Sequence, residues 1–304
     1  MNILEEQLTE RNNPDMYEHP SVTVDMLVFT VTDEKPGSYR KLSEKTLKLL
    51  LIRRGNCPFL GKWALPGGFV KVDESLEDAA YRELQEETGV NELYLEQLYT
   101  WGDIGRDPRT RVISASFLAL ADSRAFLLKA SGDSADAKWF SVSSKLMKEE
   151  KTVTEKGFDL TQTVCLTLSA LGESLTAVLQ IEKRVEGKVT SVKRRVIDTG
   201  GLAFDHALII EYGIERLRSK IEYSDIAFNL MPERFTLTEL QKVYESILDT
   251  ELLKANFRRK IARMVLETNE STRDAGHRPS KLFRYNPNWV FEKSDLLIET
   301  MAGD

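Results

Sequence analysis

Only two cysteines occur in 304 residues, Cys57 and Cys165, far apart and outside any CxxC. That spacing does not support a thiolate metal site and fits a reduced, cytoplasmic setting. No run approaches the roughly 18 apolar residues that a membrane span needs, so no membrane partner is expected. The opening MNILEEQLTERNNPDMYEHP is acidic and polar. It has neither a basic n-region nor an apolar h-region, so it does not read as a secretory signal. Internal repeats and low-complexity tracts are also missing. What is present is 41% hydrophobic and 30% charged residues, enough for a buried core and unlike general disorder. The length predicts two domains, or one with a large insertion. A formal net charge of −6 by itself argues against nucleic-acid binding. Residues 255–286 depart from that balance. Eight Lys and Arg there stand against three acids, a local excess of five positive charges that leaves the rest of the chain at −11. Such asymmetry points to an anionic partner for the C-terminal end.

Residues 22–33, VTVDMLVFTVTD, are rich in β-branched and aliphatic side chains and predict a strand, as do Lys48 to Arg53. After a Pro/Gly loop comes a helix from about Ser75 to Thr88, closed by Gly89 where a left-handed residue ends a helix. Further strands are expected near 92–100, 111–120 and 137–142, an α+β order. Residues 143–200 run β-branched between GES and EGK turns and predict a small two- or three-stranded insertion, a packing or dimerisation flap. From Ala203 to about Ile221, Phe204, Leu208, Tyr212 and Ile214 recur near helical spacing, giving a linker helix. Thr236-Leu-Thr-Glu239 is a capping box, and Leu237, Leu240, Tyr244, Ile247 and Leu248 form one apolar stripe behind it. Past a break at Asp249-Thr250, a second helix ending near Val265 carries Leu253, Phe257, Ile261, Met264 and Val265 on one face. A polar hairpin and a strand-like LFRY follow. The resulting division is 1–142, 143–200, 201–222 and 223–304.

The segment from Gly68, GFVKVDESLEDAAYRELQEETGV, sets Glu83, Glu86 and Glu87 at i, i+3 and i+4 on one helical face. Leu76, Ala80 and Leu84 fall on another face, which can pack into a core. Three carboxylates this close repel one another. Without a cation they cost helix stability or take up a proton. A hard divalent ion with oxygen ligands, Mg2+ or Mn2+, resolves the repulsion and can bridge phosphate oxygens and activate a water. Arg82 lies beside the cluster, where it can pair with Glu74 and orient the acids. For the three glutamates alone, a solvated acidic face is the alternative.

The same segment matches the pattern G-x5-E-x7-R-E-U-x-E-E-x-G-U at every fixed place: Gly68, Glu74, Arg82, Glu83, Leu84, Glu86, Glu87, Gly89 and Val90. Chance would produce this on the order of once in a billion starting points. Together with the preceding Trp63-Ala-Leu-Pro-Gly67, residues 22–142 resemble the Nudix hydrolases. The resemblance implies a Nudix α/β/α sandwich with a mixed sheet. It also implies Glu83 and Glu87 as metal ligands, with Glu86 assisting through the metal or its water and the Gly67 carbonyl completing the site. Glu83 is the candidate for handling the attacking water. The implied substrate is a nucleoside diphosphate linked to another group. Within the loop from Trp101 to Arg111, Arg106, Arg109 and Arg111 can pair with phosphates, and Trp101 can stack on a base or ribose. An ordinary charged hairpin loop is the alternative. Arg53 and Arg54, ending a strand near the cleft, and Gly68 are the other substrate-facing candidates.

Two tightly joined helices and a basic hairpin describe a winged helix-turn-helix. Asn256, Arg259, Lys260 and Arg263 fall opposite the apolar stripe of its second helix, with Arg258 beside them. Arg and Asn suit base edges and Lys suits phosphate. Arg278 and Lys281 would sit on the wing. A packing module with a solvated basic face is the alternative. The order of Nudix segment, LAFDHALII, FTLTELQKVYESIL, NFRRKI and HRPSKLFRY resembles the NrtR-like Nudix-related transcriptional regulators. That resemblance implies a homodimer on double-stranded operator DNA, in keeping with two-fold helix-turn-helix logic. It further implies a response to ADP-ribose or a related nucleoside-diphosphate sugar. The intact box keeps a second expectation open, a Mg2+-dependent Nudix pyrophosphohydrolase of the ADP-ribose pyrophosphatase type with an accessory C-terminal domain.

Overall fold

The structure, a computed structural model, describes residues 18–34, 44–89, 93–125, 134–272 and 279–289. Strands β1 (Ser21–Glu34) and β2 (Glu44–Arg54) are followed by the short β3 (Trp63–Ala64) and β4 (Gly67–Phe69), then by helix α1 (Leu76–Thr88). β5 (Tyr94–Trp101), β6 (Val112–Leu120), β7 (Ser134–Thr154), β8 (Gly157–Ala170), β9 (Glu173–Glu186) and β10 (Val189–Asp198) complete the large sheet. Next come α2 (His206–Ile221), α3 (Leu237–Leu248), α4 (Lys254–Ile261) and the hairpin β11 (Val265–Ser271) and β12 (Lys281–Tyr285).

The sheet order is β10-β9-β8-β7-β2-β1-β6-β5. β1 runs parallel to β6 and antiparallel to β2, so the sheet is mixed. The near-continuous apolar run of β1 is explained by burial of both its faces. Val24, Met26 and Val28 pack with Leu50 and Phe117 against Ala79, Ala80 and Leu84 of α1. Leu27, Phe29 and Val31 pack with Leu49 and Leu51 against Ile210, Ile214 and Leu217 of α2. The two helices therefore cover opposite faces, which is the layered sandwich. Gly213 lets α2 seat closely, because a Cβ there would lie 2.3 Å from Leu27 Cδ2.

The segment expected to be a small insertion is larger and is not separate from the sheet. β7 runs through residue 142 without a break, and β7 to β10 form a four-stranded meander continuing the sheet beyond β2. Its inward side chains, Leu166, Leu168, Ala177 and Leu179, join the core under α2. The sheet curls around this helix. Lys220 of α2 donates to the Tyr94 hydroxyl on β5 at 2.7 Å, and Arg194 of β10 reaches Glu215 of α2 at 2.7 Å.

The C-terminal unit forms as its capping signals dictate. The Thr236 side chain accepts from the Glu239 N–H at 3.1 Å, and the Glu239 carboxylate accepts from the Thr236 N–H at 2.7 Å. Asp249, left-handed at φ 53°, ends α3. The second helix is shorter than expected. α4 stops at Ile261, Met264 lies in the turn beyond it, and Val265 begins β11. Leu253, placed on its apolar stripe, is 73% exposed, because it precedes the helix. Phe257 packs edge-on against Tyr244, with centroids 5.2 Å apart. Phe235 and Phe283 exchange two backbone hydrogen bonds at 3.0 and 2.8 Å, tying the hairpin back to the start of α3. Arg218 of α2 donates to the Ile247 carbonyl of α3 at 3.0 Å and to the Ser144 carbonyl of β7 at 3.2 Å. Among the described residues no helix is long and apolar enough to cross a membrane.

One buried acid on α2 is under strain. Glu211 has a buried Oε2 with no hydrogen-bond partner among the described residues. Burial, reinforced by Glu215 and opposed by Arg194 and Arg218, pushes its carboxyl up to about 7 from 4.5. Between those two values the unfolded chain is ionised at this position while the folded one stays protonated. Stability therefore falls as pH rises from 4.5 to 7 and levels off above. Glu211→Gln should match the wild type near pH 4.5 and be more stable at pH 8, by on the order of 3 kcal/mol. Thermal melts at the two pH values check this.

Candidate functional site

β1, β4, α1, the β5–β6 loop and the residues just before α2 border a cavity of about 520 Å3. α1 begins at a reciprocal cap, in which the Ser75 hydroxyl accepts the Asp78 N–H and the Asp78 carboxylate accepts the Ser75 N–H. It ends at Gly89 with φ 72°. Between these stops the helical period turns Ala80 and Leu84 to the sheet. Glu83 and Glu87, 9% and 7% exposed, line the cavity, with the exposed Glu86 at its rim. Gly68 leaves the Glu83 carboxylate its place, since a Cβ there would lie 2.1 Å from Glu83 Oε1 and push that side chain aside.

Arg82 is the internal counterion. It donates to the two Glu74 oxygens at 2.7 and 3.0 Å, to Glu83 Oε1 at 2.6 Å and to the Phe69 carbonyl at 3.2 Å. Its guanidinium also lies 3.7 Å from Glu86. The hydrogen bonds from Arg82 hold the Glu74 carboxyl down at about 2. Burial pushes the Glu83 carboxyl up, against the pull of Arg82.

The facing wall is a second charge network. Arg106, its side chain 6% exposed, donates to both oxygens of Asp205 at 2.8 and 3.0 Å and stands 3.4 Å from Asp25 Oδ2. The Ser114 hydroxyl donates to Asp25 at 2.5 Å. His206 Nδ1 accepts the Leu65 N–H at 2.9 Å, so the proton sits on Nε2, which lies 3.5 Å from Asp25 Oδ1. Burial drives the His206 pKa down and favours the neutral ring. The mouth is aromatic. Phe204, left-handed at φ 49°, meets Phe59 edge-on at 4.7 Å, and Arg54 lies 4.9 Å over its ring. Arg109 lies 5.6 Å over Phe69 and 6.0 Å over Phe204 while pairing with Asp107 at 2.7 Å.

Of the substrate-facing candidates, Arg54, Gly68, Arg106 and Arg109 border the cavity together with Gly67, while Arg53, Trp101 and Arg111 do not. Arg53 is exposed and donates to the Gly61 carbonyl. Arg111 donates to the Gly102 and Asp103 carbonyls and closes the base of its own loop. Trp101 was expected to stack on a ligand, and its position corrects that. It is buried on the α2 face of β5, donates to Ser116 Oγ at 2.9 Å and packs among Tyr99 and Tyr212. Asp25, Phe69, Phe204 and His206 line the cavity without having been anticipated. One signal was available for Asp25, the lone charge in the apolar run VTVDMLVF.

Residues 25–158 match the NUDIX domain family, and residues 227–285 match the NrtR DNA-binding winged helix domain. The chain is 30% identical over 272 residues to the ADPR responsive transcriptional repressor NtrR of Acinetobacter baylyi, covering 88% of this chain and 83% of the relative. The chain belongs to the NrtR family. Among solved structures it is similar to a MutT/nudix family protein from Enterococcus faecalis, with TM-score 0.64, 28% identity and 94% of each chain covered. It is also similar to Shewanella oneidensis NrtR complexed with a 27mer DNA, with TM-score 0.59 and 29% identity over 89% of this chain and 95% of the other.

On the NrtR winged helix, Asn256, Arg258, Arg259 and Lys260 are exposed along α4, and Arg263 is exposed in the turn after it. The Lys260 ammonium lies 5.4 Å over the Tyr244 ring. Lys281 pairs with Glu267 across the hairpin. Arg278, placed on the wing, and Val90 of the box lie outside the described residues.

The donor set of the NrtR cavity fits a hard cation chemically. Glu83, Glu86, Glu87 and the Gly67 backbone border one space, and the missing Cβ of Gly68 leaves room for the Glu83 carboxylate. Among the described residues no three His, Cys, Asp or Glu side chains are gathered into a ready metal cluster. The repulsion expected between the glutamates is relieved instead by Arg82, which draws Glu83 to itself while Glu86 faces solvent. Removing that guanidinium should release Glu74. In Arg82→Ala its carboxyl should titrate well above about 2, rising toward 4.5 but held below it by the Lys71 N–H, read by carbon NMR of the side chain. The stabilisation that the wild-type pair contributes is present above 4.5 and is lost as pH falls toward 2.

Proposed function

We propose that this protein is an ADP-ribose-responsive DNA-binding regulator. The Nudix cavity takes ADP-ribose or a related nucleoside-diphosphate sugar, and the winged helix holds operator DNA as a homodimer. The observation that carries this is the fusion of two sites in one framework. A cavity with arginines and aromatic rings at its mouth is joined through α2 to a winged helix whose α4 exposes Arg258, Arg259 and Lys260. Arg109 and Arg54 suit a diphosphate, since guanidinium groups pair with phosphate in a fork. Phe69 and Phe204 offer ring faces for a base. On the DNA side, α4 enters the major groove with Asn256 and Arg259 toward base edges. The relatives named for an ADPR response and for DNA binding support both halves.

The test is a gel shift of the full chain on the DNA upstream of its own gene. A salt-sensitive complex that ADP-ribose dissociates is expected. Lys260→Ala should weaken it on every sequence and lower the salt slope by about 1, as for loss of one phosphate contact. No complex at micromolar protein and low salt would count against the regulator reading.

The unbroken box favours hydrolysis as a second activity. Glu83, Glu86, Glu87 and the Gly67 carbonyl would hold Mg2+ or Mn2+, which supplies a Lewis acid for the diphosphate and an activated water. Arg82 and Glu74 would keep the acids oriented, and Glu83 would take the proton of the attacking water; the hydrogen bonds of Arg82 to Glu83 and Glu74 support the orienting role. Magnesium-dependent release of AMP from ADP-ribose is expected. It should drop by about 100-fold or more in Glu83→Gln and in Glu87→Gln. Turnover unchanged in both variants would remove those residues from the reaction.

A further inference from the structure

Asp205 occupies the N-cap position of α2, yet its side chain makes no cap hydrogen bond. Aspartate is among the residues that most favour that position, accepting the N–H of the second or third helical residue. Here the carboxylate is committed elsewhere. Both oxygens accept from Arg106, at 2.8 and 3.0 Å. Arg106 is almost fully buried and borders the cavity, and among the described residues the other acid within 4 Å of its guanidinium is Asp25, at the longer distance of 3.4 Å. His206 adds no positive charge, because its Nδ1 accepts the Leu65 N–H and burial disfavours protonation. The cluster of Arg106, Asp205 and Asp25 thus holds one cation and two carboxylates. A fork-shaped donor at a cavity wall, held by a carboxylate, is a seat that a phosphate can take over.

We propose that Asp205 is an internal competitor for the anionic ligand of this cavity. With the cavity vacant, Asp205 holds Arg106. When a diphosphate arrives, Arg106 turns to it, and the released Asp205 carboxylate caps α2. The inference rests on the regulator reading and names its first step. The signal needs little travel, because α2 is one of the elements, with β2, that pack against the winged helix. Arg218 of α2 bonds the carbonyl of Ile247 on α3 and that of Ser144 on β7. Phe204, held in a left-handed conformation at the mouth, immediately precedes Asp205, so a base stacked there bears on the same backbone. A ligand shifts such an equilibrium only by its differential affinity for the two states, and the exchange of partners at Arg106 supplies that difference.

An internal competitor has a signature that a simple structural brace lacks. Removing it tightens ligand binding. Asp205→Asn keeps an N-cap acceptor but gives up the charge that holds Arg106. With the full chain in EDTA, calorimetry should show ADP-ribose binding at least about fivefold tighter than in wild type, the low end of ordinary allosteric coupling. The difference in DNA affinity with and without ADP-ribose should shrink in the same variant. Equal or weaker ADP-ribose binding by a folded Asp205→Asn would make Asp205 a brace and overturn the proposal. Hydrogen exchange on the wild type gives a second arm that needs no variant. The Ala207 amide should gain protection when ADP-ribose is added, since the amides of His206, Leu208 and Ile209 already donate to the Ala203 and Asp205 carbonyls, and unchanged exchange there with ligand bound overturns the proposal while leaving the regulator reading intact. Failure of ADP-ribose to bind the wild type at millimolar concentration overturns the ligand assignment itself and this inference with it.

Discussion

The arrangement depends on a buried charge cluster that no single element could hold alone. Asp25 comes from the centre of β1, Arg106 from the β5–β6 loop, and Asp205 and His206 from the start of α2. Desolvating such groups costs several kcal/mol per ion, which is recovered only where every partner is in place. Ser114 and the Leu65 N–H complete the set, so neighbouring strands are recruited as well. Loss of Arg106 would leave buried carboxylates uncompensated, which costs about 3–5 kcal/mol in comparable sites. That penalty fixes where α2 begins relative to the sheet. Gly213 then lets the helix settle onto Leu27, and Arg218 fixes its far end to α3. The ion cluster beside the cavity is thus joined through α2 to the DNA-binding unit, which also packs on β2.

On the opposite wall Arg82 solves a different problem. Glu74, Glu83 and Glu86 would repel one another, and the arginine stands within 4 Å of all three. A divalent cation would have to compete with Arg82 for Glu83. Since Glu83 is also pushed toward its protonated form by burial, cation affinity should depend on pH as well as on concentration.

Much of this was legible because the relevant signals are local. Helix α1, its Gly89 stop and the Thr236–Glu239 cap all follow from spacing within one turn or two, and the structure shows each. The NUDIX and winged-helix assignments were legible for a related reason, since a dense motif such as Gly68 to Gly89 has little chance of arising by accident. What was not legible depends on the third dimension. Whether a strand residue faces the cavity or the opposite layer is a matter of parity, and parity put Trp101 on the α2 face. The second helix was drawn too long because Met264 and Val265 continue its apolar rhythm into a turn and a strand. The stretch 143–200 read as a flap because strand propensity carries no record of which strand it will pair with. Only the register of Lys48 with Ser141 shows that β7 extends the main sheet.

The two activities need not oppose each other, because they make different demands on one cavity. Binding as proposed would use the arginines and rings at the mouth and the Arg106 seat. Hydrolysis as proposed would additionally require Glu83, held by Arg82, to share a cation with Glu87 on the α1 wall. The step that would inform the winged helix lies on the other wall, where Asp205 begins α2. Signal and turnover are thus separated by the width of the cavity. A change in metal supply could alter how long the ligand survives without altering how its arrival is felt at α2.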